Sequence, residues 1–178
     1  MVPDYDYTLL FPPAARSAAI EALRPLLSGD SGAELIEADQ SGPAKVCVSF
    51  RSWPDMPMDV VGEFPRLPDG GHALGLVHLS VGPSRWSELS HAVEIRLWPC
   101  TRRLQRAIIG SRLLRSELVR VLERCGGLAG YVVNESCDPV EFWRASSGRL
   151  NDDHPPEYVG RIHAEPGAEP EPAGLKAF

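Results

Sequence analysis

One stretch constrains this chain more than any other. From Thr101 to Cys125 the residues read as a long amphipathic helix, with Leu104, Ile108, Leu114, Leu118, Val121, Leu122 and Cys125 on one face. Arg102, Arg106, Arg120 and Arg124 lie opposite. A helix with one apolar stripe must bury it against another layer. The flanking segments indicate a sheet. Val93, Ile95 and Leu97 alternate with Glu94, Arg96 and Trp98, and Leu128–Val133 is a short apolar run. Thr101 is the expected N-cap and Gly126-Gly127 the expected stop. Ile109 and Leu113 break the stripe around Gly110, which predicts a kink or two helical pieces there.

Other strands precede this unit. Tyr5, Tyr7, Leu9 and Phe11 share one face of an alternating segment. Pro12-Pro13 end it and open a helix over 14–27, with Ile20, Leu23 and Leu27 as its buried stripe. A short strand is expected at Glu34–Ala38. Lys45–Arg51 alternates with Val46, Val48 and Phe50 inward, and Met58–Phe64 reads as a weaker strand interrupted by Gly62. His72–Val81, apolar on both faces, reads as a central strand. Asp138-Pro139-Val140-Glu141 has the cap, proline and acid of a short helix through Phe142 and Trp143.

The order predicts an α+β domain over residues 1–150, with a mainly antiparallel sheet of five to six strands and two main helices on one face. Residues 151–178 are acidic and rich in proline, and read as a disordered tail.

Charge and cysteine usage narrow the function classes. The net charge is −6, yet residues 101–125 carry seven Arg against two Glu. Phosphate binding favours basic proteins, so nucleic acid is disfavoured as a partner, and the Arg stripe reads as a solvated helix face. No run is long and apolar enough for a membrane helix. The four cysteines form no C-x-x-C pair, and no basic-apolar leader opens the sequence. Reduced thiols in a cytoplasm are expected.

No motif specifies a chemistry. His72 and His78 stand about 20 Å apart on an extended strand, too far to share a metal ion. Ser111 follows Gly110 without the G-x-S-x-G elbow of a hydrolase. No catalytic or metal-ligating residue is expected. The candidates for a partner surface are the loop aromatics Trp53 and Trp86 and the acids Asp55, Asp59 and Glu63. The ordinary alternatives are core lids and edge-strand charges.

Several of these segments together carry a resemblance. They are Tyr5-Asp6-Tyr7 and the following helix, Val48-Ser49-Phe50-Arg51, and the long helix closing at Gly126-Gly127. Val132-Val133-Asn134-Glu135 and Phe142-Trp143-Arg144 leading to Gly148-Arg149-Leu150-Asn151 complete the set. In these the chain resembles the small immunity proteins of myxobacterial Sit-type and related polymorphic toxin systems. The resemblance implies a compact cytoplasmic inhibitor that binds one cognate toxin and has no catalytic residues. An acidic N-terminal portion would suit a basic toxin. A chaperone or adaptor of a secreted effector fits the same residues.

A second resemblance covers residues 91–148. Val93–Pro99, Arg106-Ala107-Ile108-Ile109-Gly110-Ser111 with Leu113-Leu114, and Phe142-Trp143-Arg144 before Gly148 are similar to the acetyl-CoA-binding half of the GNAT superfamily of N-acetyltransferases. It implies an enzyme that holds acetyl-CoA pyrophosphate at a helix N-terminus through Arg106, Gly110 and Ser111. It also implies that Leu128–Val133 lies parallel to Val93–Trp98, splayed to admit the cofactor.

Overall fold

The computed structural model describes residues 5–28, 43–134 and 137–145. The expected strand at Glu34–Ala38 and the expected tail lie outside these residues.

Among the described residues six strands form one antiparallel sheet in the order β2-β3-β4-β1-β5-β6. They are β1 (Tyr5–Phe11), β2 (Ala44–Arg51), β3 (Ala73–Pro83), β4 (Val93–Pro99), β5 (Ala129–Asn134) and β6 (Cys137–Arg144). The helices are α1 (Arg16–Leu23), α2 (Met58–Val61), α3 (Arg102–Gly110) and α4 (Arg112–Arg124). This is the α+β arrangement that the sequence predicts.

The first strand is the hinge of the architecture. β1 pairs with β4 on one side and β5 on the other, and every one of its residues is buried. Its odd positions, Tyr5, Tyr7, Leu9 and Phe11, enter the main core beneath α1, α3 and α4. Ile20, Leu23, Leu104, Ile108, Leu114, Leu118 and Leu122 meet them from the helical side. Tyr7 packs edge-on against Phe142 at 5.6 Å, and its hydroxyl donates to the Ile109 carbonyl at 3.2 Å. Burial pushes the Tyr7 phenol above its ordinary pKa, against the opposing pull of Arg115.

The long helix breaks where its apolar stripe breaks. Ser111 takes an extended conformation, and its hydroxyl oxygen accepts the Leu114 N–H at 3.0 Å, so it ends α3 and caps α4. Thr101 caps α3 in the same way, accepting from Leu104 N–H at 3.2 Å. At the far end Gly126 has φ of 61°, and Gly127 N–H reaches the Leu122 carbonyl at 2.7 Å. That is a Schellman close, which a residue with a Cβ forms only under strain.

Two elements differ from expectation. Met58–Val61 is a helical turn, not a strand. Val61 N–H bonds the Pro57 carbonyl and Gly62 N–H the Met58 carbonyl, both at 3.0 Å, and this turn brings the neighbours Val60 and Val61 both into the core. Residues 137–144 are a strand, not a helix. Val140 and Phe142 alternate inward against β5, and Pro139 is tolerated because β6 is an edge. Segment His72–Val81 lies one strand in from the edge, and the centre belongs to β1 and β4. Among the described residues no helix is long and apolar enough to cross a membrane.

Candidate functional site

The helices cover one face of the sheet. Among the described residues the other face carries no α-helix, and its side chains are set by the strand registers. One transverse row runs through all six strands: Lys45, Ser80, Arg96, Thr8, Tyr131 and Glu141. Beside it on three strands stand Cys47, His78 and Trp98.

At the centre of this face lie two carboxylates that are almost wholly buried, Asp6 at 5% and Glu94 at 6% exposure. Charges so placed require partners. Asp6 is ion-paired with Arg96 and accepts the Thr8 hydroxyl at 2.8 Å. Glu94 sits 3.2 Å from Arg85 Nε and 3.8 Å from Arg96 Nε, and accepts the Arg85 backbone N–H at 3.3 Å. Arg85 also reaches within 4.0 Å of Asp6. Two guanidiniums are thus held over two carboxylates, and the ion pairs orient their side chains.

Trp98 extends this cluster. Arg96 lies 5.1 Å and Lys45 Nζ 4.8 Å from its ring, within cation–π range, and the His78 ring lies 5.1 Å away. Among the described residues Lys45 has no carboxylate partner. Hollows open on both sides of Arg96. One of about 400 Å³ is lined by Lys45, Ser80, Arg85 and Glu94. Another of about 390 Å³ is lined by Tyr5, Asp6, His78, Trp98 and Cys100.

A small apolar cluster lies on the same face where Leu10 of β1 meets Ala129 and Tyr131 of β5. Trp86, from the connection between β3 and β4, stacks on Tyr131 at 4.6 Å and covers a small cluster of Leu10, Ala92 and Ala129. Burial pushes the Tyr131 phenol up to about 12, although Arg144, whose guanidinium donates to the phenol oxygen at 2.9 Å, opposes the shift.

The residues proposed from sequence do not form one patch. Trp53, Asp55, Asp59 and Glu63 lie in the segment between β2 and β3, which packs on the helical side. Trp86 is on the opposite face of the sheet. Trp53 is half-buried against the main core. Glu63 is ion-paired with Arg103, which also donates to the Asp59 carbonyl at 2.8 Å. Asp55 has a defined structural part. Its carboxylate accepts the Ser111 hydroxyl at 2.7 Å and the N–H groups of Arg112 and Leu113 at 2.7 and 3.1 Å. It occupies the N-terminus of α4.

The second resemblance also leads to α4. Ser111 is fully buried beside the buried Gly110, and Arg106 is half-buried on α3. The leading N–H groups of α4 point at Asp55 and Ser111, so an incoming pyrophosphate would have to displace a carboxylate. Strands β4 and β5 do run in the same direction, but β1 lies between them and bonds to both. Those two features differ from the splayed pair that the resemblance implies. Among the described residues no group of three His, Cys, Asp or Glu side chains is placed to hold a metal ion.

Asp6, Arg85, Glu94, Arg96 and Trp98 are not among the site residues expected from sequence. Their signal was the polar alternate of an otherwise apolar strand, in Glu94-x-Arg96-x-Trp98 and Asp6-x-Thr8. No family model matches the chain, and no curated protein and no solved structure matches it significantly.

Proposed function

We propose that this chain is a non-catalytic protein-binding module, an immunity protein that neutralises a cognate bacterial toxin by direct binding with the uncovered face of its sheet. One observation carries the reading: a half-exposed Trp98 flanked by Lys45 and by an Arg96 already fixed on buried Asp6. Tryptophan and arginine dominate binding energy at interfaces, and side chains ordered in advance lose little entropy on association. The surface offers recognition by shape and charge across several strands.

The test is co-expression with the protein encoded beside it, followed by an affinity measurement and a toxicity-rescue assay. Binding together with rescue supports an immunity protein. Binding without rescue favours the adaptor or chaperone of a secreted effector. A thermal melt with excess acetyl-CoA tests the transferase. Ligand at about a hundred times its dissociation constant adds about 2.7 kcal/mol to native stability, and that rise would replace the binding-module reading.

A further inference from the structure

The uncovered face differs in charge from the chain as a whole. The protein carries −6, but around the hollow beside Arg96 the arrangement is reversed. The two acids beneath Arg96 and Arg85 are buried and committed to them, Glu94 in the lining of this hollow and Asp6 on the other side of Arg96. The outermost charges are cationic: Arg85 at 45% side-chain exposure and the exposed Lys45, which has no carboxylate partner among the described residues. Ser80 stands between Lys45 and Arg96 in the register and adds a hydroxyl to the lining.

Resting on the docking-face reading above, we propose that the hollow lined by Lys45, Ser80, Arg85 and Arg96 receives an acidic side chain of the partner protein. The carboxylate sits between Lys45 and Arg85, and the neighbouring part of the partner packs against Trp98. Three cations over two buried acids leave the site one positive charge in excess, and a single carboxylate completes it. The hollow, of about 400 Å³, is open to solvent, so the pairing with Lys45 and Arg85 is screened by salt. A basic segment would instead meet Lys45 and Arg85 head-on, and like charges across an interface are strongly disfavoured.

The probe is a short capped oligoglutamate peptide, titrated into isotopically labelled protein and followed by NMR. An oligoglutamine peptide of equal length is the control. Shifts should concentrate on the Trp98 indole N–H, the Arg96 Nε–H and the amides of Lys45 and Ser80, and should vanish in high salt. Lys45→Glu should weaken the apparent affinity about tenfold or more, and Lys45→Met by less, since Met keeps the length and loses the charge. Both variants should fold, because Lys45 is exposed and holds no ion pair among the described residues. Shifts of equal size with glutamine, or shifts that map elsewhere or are absent at millimolar peptide, overturn the proposal.

The native partner separates the acidic contact from the docking face. Binding lost with Trp98→Ala but unchanged with Lys45→Glu overturns the acidic contact and leaves the docking face standing. Binding unchanged in both removes the face itself.

Discussion

Replacing Asp55 by Ala should destabilise the fold by about 2–3 kcal/mol, although the side chain is exposed. The carboxylate accepts three hydrogen bonds at the start of the thirteen-residue α4, from Ser111 Oγ, Arg112 N and Leu113 N. Losing an N-terminal cap costs about 1 kcal/mol, and an anion at a helix N-terminus adds roughly 0.3–1 kcal/mol. The wholly buried Ser111 hydroxyl then donates to nothing, which costs about 1 kcal/mol more. Asp55→Asn keeps an acceptor and loses the charge, so it should cost about 1 kcal/mol. For a chain of this size each kcal/mol moves the midpoint by about 2–4 °C, so the alanine variant should melt about 5–10 °C lower. Urea denaturation followed by circular dichroism gives the free energies. The double variant Asp55→Ala/Ser111→Ala should cost less than the sum of its parts, because the two residues share one bond. An alanine variant within about 0.5 kcal/mol of the parent refutes the capping argument.

Three further outcomes follow from the same geometry. Tyr131 is held neutral by burial, with its folded pKa raised to about 12. Its contribution to stability is therefore complete below about pH 10 and lost as pH rises through 12. Phenolate absorbance should show Tyr131 ionising late, and Tyr131→Phe should flatten the alkaline loss of stability. Gly130→Ala should destabilise by about 1–3 kcal/mol in thermal or urea melts, since a Cβ there would meet Phe142 at 2.6 Å and Leu122 at 2.8 Å. Asp6→Ala removes the nearer of the two carboxylates paired with Arg96 on the uncovered face and leaves it Glu94 at 3.8 Å. It should cost about 2–3 kcal/mol, below the roughly 3–5 kcal/mol of a deeply buried pair because Arg96 keeps access to water.

Local chemistry made much of the fold legible. The alternation in Tyr5–Phe11 and Val93–Trp98, the Thr101 cap, the break near Gly110 and the Gly126-Gly127 stop each depend on neighbours a few residues away. Where local signals competed, the pattern misled. Asp138-Pro139-Val140-Glu141 has the residues of a helix start, but Val140 and Phe142 gain more by packing inward beside β5. Met58–Phe64 has the valines of a strand and the compact turn of a helix.

The candidate site was less legible because register creates it. Asp6 and Arg96 are ninety residues apart in sequence, and only the pairing of β1 with β4 brings them together. A tally of charge along the chain made the N-terminal hundred residues acidic. Two of those acids are buried under arginines, so the surface they support is cationic. Asp55 was legible as an acid in a loop, but not as the cap of a helix more than fifty residues further on.

The most direct measurement of the central claim is the dissociation constant of the complex with the neighbouring gene product, compared between the parent chain and Trp98→Ala. An interface anchor of this kind contributes at least about 2 kcal/mol, so the constant should rise about thirtyfold while the thermal midpoint of the free protein changes little. An unchanged constant, with Trp98→Ala folded, would contradict the assignment of the uncovered sheet face as the binding surface.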